Sequence, residues 1–197
     1  FRLVEIELAG LDRPEERHGS KYTVTAPGYR MKYVSHKDER NIFGRKLEFV
    51  TCDEETGIYV TSHFQFYDGI AMVRCYSVVE NRGTDEQILE YVTSFNLNGL
   101  EKEGILPRDL KMKVAVIHNS WQREVQWKEY TLPQLGIEQS QPDLALRSSK
   151  AFGVSNTGNW SAKEYLPMGC VSNEETGSRL FWQIEQNGSW HWEISDQ

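Results

Sequence analysis

Long apolar runs are missing from this 197-residue sequence. No segment approaches the roughly 18 consecutive apolar residues of a membrane span, so no membrane role is expected. A secretory leader is not visible either, because Phe1 to Gly10 is already broken by Arg2, Glu5 and Glu7. The chain starts on Phe1 without an initiator Met and reads as the cut edge of something longer. Cysteine is scarce: Cys52, Cys75 and Cys170 lie far apart and form no Cys-x-x-Cys pair. An odd number cannot close a full disulfide set, and reduced thiols in a cytoplasmic compartment are the expectation. Basic residues are outnumbered, 22 Lys and Arg against 29 Asp and Glu, for a net charge of −7. Such a surface repels phosphate, which argues against nucleic acid and against anionic membranes as partners.

Signatures of chemistry are equally thin. His18, His36, His63, His118 and His191 show neither His-x-x-x-His nor His-Glu-x-x-His spacing, so no metal is expected and no cofactor is implied. A Gly-x-Ser-x-Gly elbow and a phosphate-binding loop are both absent. Glycoside cleavage needs two carboxylates about 5–10 Å apart, and 29 acidic residues do not single out a pair. No catalytic residue is assigned. Asn159-Trp160-Ser161 and Asn187-Gly188-Ser189 match glycosylation sequons. Without a leader the first reads as chance, and the second as a hairpin turn.

What the sequence does have is aromatic residues, 12% of the total, and alternation. Flat and β-branched side chains suit a pleated surface. In Leu3 to Leu8 the residues Val4, Ile6 and Leu8 share one face, and Glu5 and Glu7 the solvated other. Similar runs predict strands at 22–25, 30–35, 46–51, 58–66, 70–79, 88–97 and 112–117. The joints read as turns at Ala26-Pro27-Gly28, Asp53 to Gly57, Tyr67-Asp68-Gly69 and Asn81-Arg82-Gly83. Asp-Gly after Tyr67 signals a hairpin. Residues 121–130 fit a strand or a short helix, with neighbouring strands favouring strand. Residues 133–147, with Pro133 and Pro142, read as a long ordered loop. Strands at this spacing predict an all-β fold, an antiparallel meander folded into a β-sandwich. With no internal repeat or linker, residues 1–197 read as one domain.

The most distinct local pattern is C-terminal. Phe181 to Gln186, Asn187-Gly188, then Ser189 to Ile194 predict a hairpin with a two-residue Asn-Gly turn. Glu185 would then oppose Trp190 and Gln183 would oppose Trp192, on one face. Indole rings beside amide and carboxylate groups are what a sugar needs. The favoured reading, though, is that these tryptophans simply bury large areas between two sheets.

Four stretches carry a resemblance: Leu89 to Phe95, His118 to Glu124, Ser155 to Trp160 and Trp182 to Trp190. With Gly44 to Phe49, the Asp53…Thr56-Gly57 turn, Val73-Arg74-Cys75-Tyr76 and Asn81-Arg82-Gly83, they resemble, in order, the N-terminal domain of glycoside hydrolase family 36, the α-galactosidases. The resemblance implies a β-supersandwich, related to galactose mutarotase-like folds, ahead of a (β/α)8 barrel. In that family the barrel carries both catalytic aspartates, so no catalytic position is transferred to this chain. It also implies a domain clipped at both ends and, as in some members, a homo-oligomer in which such domains assist assembly and help shape the substrate entrance of a neighbouring subunit.

The expectation is therefore a non-catalytic accessory domain whose partners are the barrel of its parent chain and a galactoside oligosaccharide. Stacking would fall to Trp160, Trp190 and Trp192, and hydroxyl contacts to Asn159 and Gln183. Two alternatives are a free-standing carbohydrate-binding module and a mutarotase-like enzyme. The latter would use His118 or His191 as acid and Glu185 or Glu124 as base.

Overall fold

The computed structural model describes residues 2–11, 25–137, 151–158, 160 and 162–195. Of these, 54% are strand and 9% helix, in antiparallel sheets that do not close into a barrel: an all-β sandwich class. The described residues up to Asn98 form one compact unit and those from Gly99 form a second. Among the described residues no helix is long and apolar enough to cross a membrane.

The first unit is built on a meander of β2 (Lys32–Asn41), β3 (Gly44–Asp53), β4 (Ile58–Phe66) and β5 (Val73–Asn81), hydrogen-bonded in sequence order. A short pair, β1 (Ile6–Leu8) with β6 (Leu89–Val92), covers part of one face. Period-two alternation on β4 turns Ile58 and Val60 toward Val4, Ile6 and Leu8, and these five form the buried cluster of the unit. The turn Asp53 to Gly57 sits against the turn Asn81 to Gly83. Gly57 has φ +72°, and a Cβ there would stand 2.5 Å from the Gly83 Cα, so both glycines permit the approach.

Four expectations for this unit are corrected. Residues 22–24 of the strand expected at 22–25 lie outside the described residues, and Thr25 caps a helix instead. Its Oγ1 accepts the Gly28 N–H (3.1 Å) at the start of α1 (Ala26–Arg30), with Pro27 in the first turn, where no N–H is needed. Glu5 and Glu7, expected in solvent, are 4% and 8% exposed, because α1 covers the Glu5 side of β1. The Glu5 carboxylate accepts from Thr25 N–H (3.2 Å) and Thr25 Oγ1 (3.0 Å) and pairs with Arg2 at 3.2 Å. β2 runs six residues beyond its expected end at Ser35. His36 to Arg40 lack alternation because the strand is an exposed edge, where charge discourages pairing with other chains. Finally, the strand expected at 70–79 starts at Val73, so Asp68-Gly69 belongs to a six-residue connection rather than a two-residue turn.

The second unit contains α2 (Arg108–Lys111), β7 (Met112–Ser120), β8 (Arg123–Thr131), β9 (Ala151–Asn156), β10 (Tyr165–Asn173), β11 (Arg179–Gln183) and β12 (Trp190–Ser195). Residues 121–130 are a turn followed by strand, as their neighbours suggested. Of the expected loop at 133–147, Pro133–Leu135 is a 3-10 turn and 138–147 lie outside the described residues. The sheet runs β11-β10-β7-β8, and a separate pair, β12-β9, faces it. Between them lie Met112, Val114, Val116, Val154, Val171, Trp190 and Trp192.

The C-terminal hairpin does not form. β11 pairs with β10, while β12 pairs with β9, so the two halves sit in different sheets. After β11 the chain makes one more bond to the β10 side, from Ile184 N–H to Pro167 O (2.7 Å), and Asn187-Gly188 then carries it across to the other layer. A two-residue turn would have left the core side of Trp190 and Trp192 without a covering sheet. Crossing between layers buries both rings.

Candidate functional site

The tryptophans expected as a sugar platform divide into two groups. Trp190 and Trp192 are 6% and 8% exposed, in the core of the second unit. Trp192 meets Trp182 edge-on, with centroids 5.0 Å apart, and Phe152 at 5.9 Å. Gln183, expected opposite Trp192, faces Met168 on the other sheet and is exposed. Sequence adjacency suggested a shared face; layer crossing removed it. Trp160 is 58% exposed, and Asn159 lies outside the described residues.

The structure gives Trp160 different company. Asn119, on β7, donates its Nδ2 to Ala162 O, and its backbone N–H bonds Glu164 O at 2.8 Å. Its Oδ1 accepts the Val125 N–H at 3.2 Å. One side chain therefore ties the segment after Trp160 to the β7–β8 hairpin, whose tip presents Trp121 at 77% exposure. The tip is strained. Gln122 and Val125 have φ of 63° and 55°, and a β-branched residue in that region is an outlier. The cause is a register shift between His118 and Ser120, which leaves Asn119 opposite two residues, Glu124 and Val125. The Glu124 carboxylate accepts the Gln122 N–H at 2.9 Å and steadies the turn. Strain of this kind persists where the surroundings over-determine it, often at functional surfaces. Sequence reading missed Trp121 as a site residue because the bulge breaks the alternation that would have shown its direction.

Of the groups weighed for acid–base chemistry, Glu124 is tied up in the hairpin tip itself and His118 precedes Asn119 on β7. His118 Nε2 lies 2.8 Å from the Tyr130 hydroxyl and its ring packs 5.2 Å from that of Tyr165. His191 Nε2 lies 3.7 Å from Glu193, and Glu185 falls in the connection between β11 and β12. Among the described residues no three His, Cys, Asp or Glu side chains gather as a metal site. Trp121, at the hairpin tip, and Trp160 are the exposed indoles among these residues.

The most polar buried site in the first unit is structural. Asp53, fully buried, accepts from Arg30 through Nε (2.9 Å) and Nη2 (2.8 Å), and from the Thr56 hydroxyl at 2.8 Å. Burial opposes ionisation of this carboxyl. The guanidinium fork and the hydroxyl outweigh it and hold the group below the usual carboxylate range. The Cys75 thiol is pushed up to about 11 by burial alone.

No family model matches this chain, and no curated protein matches it either. Solved structures do. The GH36 α-galactosidase AgaA from Geobacillus stearothermophilus superposes with a TM-score of 0.66 at 13% identity, over 98% of this chain and 24% of that one. A doubly substituted variant of the same enzyme, in complex with stachyose, superposes with a TM-score of 0.55 at 12% identity, over 98% of this chain and 27% of that one. At such identity the likeness is one of fold, and this chain spans about a quarter of the length of those enzymes.

Proposed function

We propose that this chain, taken as one domain over residues 1–197, is a non-catalytic accessory domain of an α-galactosidase-type glycoside hydrolase. A (β/α)8 barrel in the same parent chain would cleave terminal α-galactosides, and this domain would pack against it and support assembly of a cytoplasmic homo-oligomer. The observation that carries the reading is the superposition of nearly the whole chain on a quarter of an α-galactosidase. The three cysteines, none in a disulfide, suit a reducing compartment. Expressed from its complete gene, the protein is expected to hydrolyse an aryl α-galactoside, and residues 1–197 alone to leave it intact. A complete protein without that activity, or turnover by residues 1–197 alone, overturns the reading.

Within this reading the surface that meets the oligosaccharide is the β7–β8 hairpin end. Trp160, the one expected stacking residue that is exposed, acts there with Trp121. Trp190 and Trp192 serve as the core beneath. The strained Val125 and the bridging Asn119 favour this end of the second unit.

A further inference from the structure

In the first unit, an open cleft of about 340 Å³ lies where residues 2–4, α1, β2 and β3 meet, and neither sequence motif nor fold likeness assigns it a role. Its lining includes Arg2, Gly28, Tyr29, Met31, Tyr33 and Phe49. We propose that this cleft binds a neutral pyranoside, with Tyr29 and Tyr33 as the stacking rings.

Three observations point there. The rings are available: Tyr29 is 76% and Tyr33 62% exposed. The wall is also organised in advance. The Tyr33 hydroxyl lies 2.6 Å from His36 Nδ1, the His36 ring stacks on Phe49 at 5.8 Å, and Phe49 meets Phe64 edge-on at 6.1 Å. A wall fixed before binding loses little rotamer freedom on contact. Third, the polar edge is neutral. Arg2, the one charged residue of the lining, pairs with the buried Glu5 at 3.2 Å and lies over the Tyr29 ring at 5.0 Å, so its charge is already compensated. Gly28 permits this, since a Cβ there would come within 2.4 Å of Glu5 Oε2. Neutrality disfavours a phosphate or carboxylate ligand. An apolar ring face with hydroxyls around its rim matches aromatic walls beside a charge-compensated guanidinium donor.

The cleft is independent of the accessory-domain reading, and the test separates them. Saturation-transfer NMR on residues 1–197 with methyl α-galactopyranoside, at on the order of 10 mM for weak binding, should show transfer to the ring C–H protons. Galactitol has the hydroxyls but no ring face and should show none. Tyr29→Ala and Tyr33→Ala should each weaken binding about tenfold, with thermal unfolding unchanged because both rings are exposed. Tyr33→Phe, which keeps the ring, should retain it. Trp121→Ala and Trp160→Ala should leave it unaffected. Absent transfer, transfer undiminished in the two tyrosine variants, or equal transfer to galactitol overturns the proposal. Loss in the tryptophan variants alone also overturns it, and leaves the hairpin surface as the binding site.

Discussion

Gly169 is where the second unit has least room, and Gly169→Ala tests whether its tryptophans form a packed core. Gly169 on β10 lies opposite Trp182 on β11, and the indole folds back over it. A Cβ at 169 would stand 2.4 Å from Cζ2 and 2.8 Å from Cε2 of that ring. The ring cannot swing away freely, because Trp192 abuts it edge-on at 5.0 Å. The Gly169 backbone needs no positive φ, so relief of chain entropy alone would make alanine stabilising by about 0.5–1 kcal/mol. Overpacking against a held ring costs about 1–3 kcal/mol. The clash wins, with a net loss of about 1–2 kcal/mol, and Tm should fall by about 2–8 °C for a chain of this size. Tryptophan emission is the natural assay, since all six tryptophans lie beyond residue 120 and report the second unit. Trp182→Phe should reduce the cost of Gly169→Ala, because the smaller ring clears the new methyl. A Gly169→Ala variant as stable as the parent would refute the packed arrangement of Trp182 and Trp192.

Asp53→Asn should destabilise the first unit by about 2–4 kcal/mol at neutral pH, by leaving Arg30 without its buried partner. The Asp53 carboxyl is held below its usual range, so its contribution is fully present above about pH 4 and is lost as pH falls through the folded value. Urea unfolding of both proteins should therefore converge on acidification; a gap that widens toward low pH contradicts the pairing. At pH 8 the Cys75 thiol, pushed up to about 11, is about one part in a thousand thiolate. Iodoacetamide labelling read by mass spectrometry should find it about a hundredfold slower than a free thiol, and rapid labelling in the folded protein would contradict its burial.

Where one face of a strand was buried and the other wetter, alternation alone located it: Ile58 to Phe66 is a strand with Ile58 and Val60 inward. Met112 to Ile117 is strand as well, but buried on both faces, with Ala115 and Ile117 enclosed like Val114 and Val116. β2 was only half legible, because an edge strand in solvent on both faces has no reason to alternate. Glu5 looked solvated because nothing local announces that a helix twenty residues later will cover it with Thr25. The candidate sites divide in the same way. Trp160 was visible as a tryptophan, but Asn119 as its link to the hairpin was not, since that link depends on a bulge.

By itself the sequence determined the all-β class, the meander of the first unit, and the lack of any motif for metal, phosphate or serine chemistry. These follow from local periodicity and from spacing within a motif, which a single strand or turn already expresses. Tertiary structure alone decided that Trp190 and Trp192 are core. Asn187-Gly188 can close a hairpin or carry the chain between layers with the same local chemistry. The choice falls to the area buried when β12 pairs with β9 against the opposing sheet, an energy that no window of neighbouring residues contains.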